Sequence, residues 1–159
     1  MWRNRPNGRN NIMATLTAED TLDHLKSLHT AAVDSRNGYE AAIEAADGHG
    51  LAPLFTKMTG LHQHHADELA AALHGAGEPA DDDGSFMSTV HRTVMNVRAL
   101  FDGLGKSVLP GLIDGETRNI AAYDKALDET GLPPDIRTLL TRQRDDLRAA
   151  IRTMEAQQT

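Results

Sequence analysis

Cysteine is absent from this chain of 159 residues. That excludes a disulfide framework, thiol catalysis and any cysteine-ligated zinc site. Aromatic residues are scarce: one Trp, two Tyr and three Phe. A core must therefore be assembled from Leu, Ile, Val, Met and Ala, and an apolar fraction of 40% is enough to build one. Ala and Leu favour helix, and the β-branched and aromatic residues that favour strands are few. Positive charge is in deficit as well. The formal net charge of −7 sets an acidic surface against phosphate backbones, so no nucleic-acid partner is expected. No apolar run approaches the roughly 20 residues of a membrane span, so no membrane partner is expected either. Catalytic signatures are missing too. The chain has no Gly-x-x-x-x-Gly-Lys phosphate loop, no Gly-x-Ser-x-Gly and no His-Glu-x-x-His.

What the sequence does contain is helical periodicity. Residues 1–14 carry Arg3, Arg5 and Arg9 among Asn, Gly and Pro, with no apolar run. They read as a disordered leader, or as sequence upstream of a start at Met13, and not as a signal peptide. The cytoplasm is the default location. Residues 15–157 read as a single helical-bundle domain. Thr17 to Asp20 resembles a capping box, and Leu22, Leu25, Leu28, Ala32, Tyr39 and Ile43 then recur at three-to-four spacing, up to about Asp47. A second helix is expected from Leu51 to about His74, with Leu54, Met58, Leu61, Leu69 and Leu73 inward. The stretch Gly75–Gly84 is a polar loop. Its Asp81, Asp82 and Asp83 lack the alternating ligands of a calcium loop. Ser85 would cap a third helix carrying Met87, Val90, Val94, Val97, Phe101 and Leu104, and Ser107 a fourth carrying Leu109, Leu112, Ile120, Tyr123 and Leu127. After the break at Gly131–Pro134, a last helix carries Ile136, Leu139, Leu140, Leu147, Ile151 and Met154. The expected fold is all-α: an antiparallel four-helix bundle with an additional C-terminal helix.

Polar residues interrupt these stripes, and they are the candidate site. His29 and Arg36 fall near the inward phase of the first helix, with Asp34 and Glu40 beside it. His62 and His65 continue the Met58–Leu69 stripe, with Glu68 adjacent and His64 turned about 100° away. His91 follows Val90, and Glu116 sits between Leu112 and Ile120, with Asn119 beside it. Two readings compete. In the first, Asp34, Arg36, Tyr39, Glu116 and Tyr123 form a structural polar layer, in which Arg36 and Glu116 are a buried ion pair that sets register. In the second, His62, His65, Glu68, His91 and Glu116 bind a transition metal, because inward His and carboxylates on facing helices make such sites and neutral imidazole suits zinc, iron, copper or nickel. The di-iron pattern needs two Glu-x-x-His motifs, and the sequence has none. The layer reading calls for no cofactor and no catalytic residue. It leaves a homo-oligomer through helix faces as the expected partnership.

The run Asp34-Ser-Arg-Asn-Gly38-Tyr39, then His91-Arg92 followed by Met95, then Gly115-Glu116, then Tyr123 with Ala126-Leu127, resembles the bacterial family called domain of unknown function 2383. The resemblance runs from about Thr21 to about Glu155. It implies a ferritin-like four-helix bundle and names no activity. This chain departs from the family pattern at Ser35, where Gly is common, at Val94, where Trp is common, and at Thr117, where Asp usually follows the Gly-Glu pair.

Overall fold

The computed structural model describes the backbone of residues 8–46, 50–80 and 105–159, and within the first segment the side chains of residues 18–43. Four α-helices and one short turn of 3-10 helix make up these segments, with no strand among the described residues. They are α1 (Gly8–Ala46), α2 (Ala52–Gly75), α3 (Leu109–Leu127) and α4 (Pro134–Gln158), with the 3-10 turn Gly105–Val108 running into α3.

The punctuation follows from residue type. Proline occupies the first turn of α2, α3 and α4, where its missing N–H costs nothing. At the end of α2, Gly77 takes a left-handed φ of 80°. Its N–H reaches His74 O and the Glu78 N–H reaches Leu73 O, each at 3.0 Å, which closes the helix in a Schellman turn. Asp135 in the first turn of α4 favours the positive end of that helix. Arg137 fastens the α3–α4 link by donating to Leu127 O at 2.8 Å and Glu129 O at 2.9 Å.

Two apolar clusters fix the packing. In one, Leu25, Leu28, Ala32 and Val33 of α1 meet Ala66, Leu69 and Leu73 of α2, Tyr123 and Ala126 of α3, and Leu140 and Leu147 of α4. In the other, Tyr39 and Ala42 of α1 meet Leu54, Phe55 and Met58 of α2, Leu109 of α3, and Ala150 and Met154 of α4. Early α1 thus meets late α2, and late α1 meets early α2, so the two helices run in opposite senses. The same holds for α3 and α4. Polar side chains from all four helices lie where the two clusters adjoin.

Several expectations are corrected here. Helix α1 begins at Gly8, inside the segment 1–14 that the sequence sets apart as a leader. Ser107 is not a helix cap: it lies within the 3-10 turn, and Val108 takes the N-cap position of α3. The last helix is no appendage, because Leu140, Gln143, Leu147, Ala150 and Met154 of α4 are all buried. The third expected helix, with His91, and the acidic run Asp81–Asp83 lie outside the described residues.

Candidate functional site

Glu116 is the centre of the buried polar region. It stands on α3 two turns after Leu109 and two before Tyr123, so helical phase carries it into the core at 2% exposure. Three helices supply its donors. The Tyr39 hydroxyl of α1 donates to Oε1 at 2.8 Å, and His62 Nε2 of α2 lies 2.9 Å from the same oxygen. Asn119, one turn along α3, donates to Oε2 at 3.1 Å and also to Ser35 Oγ at 3.2 Å. The Tyr39 ring stacks on His62, with centroids 5.7 Å apart and planes 15° from parallel. It also packs against Phe55 at 5.6 Å.

The protonation states follow from these contacts. Burial works to raise the Glu116 carboxyl, but the hydrogen bond and charge of His62, with the bonds from Asn119 and Tyr39, outweigh it and hold the group below the usual carboxylate range. Burial, together with the negative charge of Glu116, pushes the Tyr39 hydroxyl well above the usual phenol range. The carboxylate is therefore ionised and Tyr39 keeps its proton. A carboxylate has no hydrogen to give, so the ring proton of His62 sits on Nε2.

A second network lies between α2 and α4, about one turn further along α2. Gln143 is fully buried. Its Oε1 accepts from the Tyr123 hydroxyl at 2.9 Å, and its Nε2 donates to Glu68 Oε2 at 2.9 Å and to His65 O at 3.3 Å. Glu68 also holds Arg142 at 2.7 Å. Burial raises the Glu68 carboxyl, but Arg142 and Gln143 together bring it below its ordinary value. His65, fully buried, places Nε2 3.1 Å from Asp146 Oδ2. Burial lowers its imidazole below the ordinary value despite Asp146, so the ring is neutral at pH 7. Its Nδ1 has no hydrogen-bond partner among the described residues. Burial likewise pushes the Tyr123 hydroxyl up.

The residues expected in one layer are therefore divided. Tyr39 and Glu116 meet directly, whereas Tyr123 belongs to the Gln143 network. The expected Arg36–Glu116 ion pair is absent. Arg36 donates to Gln63 Oε1 at 2.7 Å and to Asn37 Oδ1 at 2.9 Å, both beside its own flank of α1. The physical reason is phase: Arg36 lies on the edge of α1 that faces α2, and Glu116 approaches past Tyr39, where His62 takes the donor's place. Asp34 is half-buried, its Oδ1 has no partner among the described residues, and burial raises its pKa. His29 is buried in α1.

Of the expected metal ligands, His62 and Glu116 meet directly, whereas His65 and Glu68 turn to other partners. His62 faces Glu116, His65 faces Asp146, and Glu68 is held by Arg142 and Gln143. His64 is exposed and reaches Glu68 at 3.3 Å. No group of three or more His, Cys, Asp or Glu among the described residues is placed to hold a metal ion. His91 lies outside those residues.

The sequence reading missed Gln143 and Asp146. The signal was available: Ile136, Leu140, Gln143, Leu147, Ala150 and Met154 alternate at spacings of three and four, so Gln143 sits on the apolar stripe. It was hidden because the rest of α4 is rich in Arg and Asp.

Between α1 and α3 runs a groove of about 500 Å³, with Asp34, Tyr39, Glu116 and Asn119 on its polar side and Ala42, Phe55 and Leu112 on its apolar side. No helix among the described residues is long and apolar enough to cross a membrane.

A protein that is helical throughout its described elements, with a buried carboxylate held by donors from three helices, is the class these observations define. The model of a family described as a domain of unknown function (DUF2383) matches residues 20–129, more than half of the chain. The chain belongs to that family. The match covers α2, α3 and most of α1, and ends before α4. No curated protein and no solved structure matches the chain.

Proposed function

We propose that this chain is a ferritin-like helical bundle acting as a non-enzymatic scaffold, and that its buried polar networks set the register of its helices. The observation that carries this reading is the completeness of the Glu116 site. The carboxylate takes two donors on one oxygen and one on the other, from Tyr39, His62 and Asn119. A buried charge satisfied this fully by the protein adds little net stability, yet it penalises every packing in which it is unpaired. That is how a polar layer selects one register. Residues 15–157 form one domain on this reading. The acidic charge argues against a nucleic-acid partner, and assembly of identical chains through helix faces is the partnership that fits best. The test is stability with and without the pair: Glu116→Gln and His62→Gln should each lower the denaturation midpoint and leave the protein helical. A bundle indifferent to both changes would refute the role.

A second reading has one observation in its favour. His62 Nε2 and the Tyr39 hydroxyl both lie within 3 Å of Glu116 Oε1, a convergence of imidazole, phenol and carboxylate that iron or zinc also uses. A closed site needs about four ligands, and His65 and Glu68 are turned to other partners. Metal analysis of protein purified without an affinity tag separates the two readings: one transition metal per chain supports the second.

A further inference from the structure

We infer that one ordered water molecule sits in a small cavity among the four described helices and joins the two buried polar networks into one. The cavity measures about 10 Å³, at the lower bound of the room a single water needs, roughly 10–15 Å³. Its wall draws on every described helix: Ala32 of α1, His62 of α2, Asn119 and Tyr123 of α3, and Leu147 of α4. Ala32, His62, Tyr123 and Leu147 are each at most 4% exposed, so the space is internal. It lies where the networks come closest. His62 and Asn119 both hold Glu116, whereas Tyr123 belongs to Gln143. Asn119 and Tyr123 stand four residues apart, on one face of α3.

Hydrogen-bond chemistry selects the occupant, because the hydrogens of these three polar residues are already committed. The ring proton of His62 is on Nε2, 2.9 Å from Glu116 Oε1, so its Nδ1 carries a bare lone pair. Asn119 Nδ2 gives its two hydrogens to Glu116 Oε2 at 3.1 Å and Ser35 Oγ at 3.2 Å, which leaves the amide oxygen as its remaining polar atom. The Tyr123 hydroxyl donates its one proton to Gln143 Oε1 at 2.9 Å, so its oxygen is an acceptor toward anything else. The polar wall therefore offers lone pairs and no hydrogens. Acceptors do not bond to one another, and what complements them is a small molecule that brings hydrogens of its own. Water brings two. An apolar occupant would leave the lone pairs unpaired in the core. A cation is a poor fit as well, because no carboxylate lines the cavity among the described residues and a buried charge there would lack a counter-charge. The inference rests on the register-setting reading and extends it: with the water in place, one hydrogen-bonded layer runs unbroken through all four described helices.

The methyl groups of Ala32 and Leu147, on α1 and α4, are the probes. In methyl-labelled full-length protein, both should show magnetisation transfer from water, with NOE and ROE cross-peaks of opposite sign, the signature of a long-lived internal water. Tyr123→Phe keeps His62 and Asn119, two acceptors for two hydrogens, so the cross-peaks should persist in that variant. Absence of the cross-peaks in the unaltered protein would show a dry cavity. NOE and ROE of the same sign would report only surface hydration. Loss of the cross-peaks in Tyr123→Phe would trace them to the exchangeable hydroxyl proton. Each of these three results overturns the inference. None of them touches the lowered denaturation midpoint expected of Glu116→Gln and His62→Gln, so a dry cavity and a failed register role are told apart.

Discussion

His62 Nε2 lies 2.9 Å from Glu116 Oε1, with the histidine and the carboxylate both about 97–98% shielded from solvent. This contact joins α2 to α3 through the core, and Tyr39 brings α1 to the same oxygen. Removing the carboxylate leaves Tyr39 and His62 without their acceptor, while Asn119 keeps Ser35 Oγ. Glu116→Ala should therefore destabilise by roughly 3–5 kcal/mol, the range for breaking a buried pair. Glu129→Ala, at a part-exposed residue 3.5 Å from His24, should change stability by less than about 1 kcal/mol. Urea denaturation of both variants checks the contrast, and equal effects would mean that Glu116 carries no buried pair.

Tyr39→Phe keeps the ring that stacks on His62 and removes only the hydroxyl. The loss should be about 1.5–3 kcal/mol, the value of a hydrogen bond to a charged group. In the double variant with Glu116→Gln the two losses should fall short of additivity, since both remove part of one contact. Strict additivity in a double-mutant cycle would separate the two residues.

The second network yields a rescue. Gln143→Leu fits the apolar stripe of α4 but strands the Tyr123 hydroxyl in the core, and should cost about 1–3 kcal/mol or more. Adding Tyr123→Phe removes the stranded group and should restore part of that loss. A double variant no more stable than Gln143→Leu alone would contradict the hydrogen bond.

Acid should loosen the protein in two steps. Folding lowers the His65 imidazole below 6.5, so the unfolded chain binds the proton first. Stability from His65 is complete above about pH 6.5 and is lost as pH falls through the folded value. Glu116 is likewise held below 4.5, so its contribution is present above about pH 4.5 and lost below it. Denaturation midpoints across this range should fall with pH, and His65→Gln should flatten the upper step. An upper slope that survives the substitution would place it in another group.

How legible these features were in the sequence depended on neighbours. Leu25, Leu28, Ala32, Leu54, Met58, Leu69 and Leu73 are on the stripes that helical spacing marks, and all are buried. The inward place of Glu116 follows from the same spacing, since it lies seven residues from both Leu109 and Tyr123. What periodicity does not carry is the rotation of one helix against another. That rotation decides whether Arg36 or His62 reaches Glu116; here His62 does, and Arg36 donates to Gln63. It also decides that His65 and Glu68, one turn apart on α2, turn to Asp146 and Arg142 and do not share a ligand. Gln143 escaped notice for a different reason: a polar residue on a polar helix looks like surface until the 3–4 spacing around it is read.

The central claim is that the Glu116 site is complete as a protein network and does not act as a metal centre. The most direct test is aerobic oxidation of ferrous iron with stoichiometric, untagged protein, followed alongside metal content and compared with His62→Ala and Glu116→Gln. The account predicts oxidation no faster than buffer, no retained metal, and no difference among the three proteins. Fast, saturable oxidation with one metal retained per chain, abolished by either substitution, would contradict it.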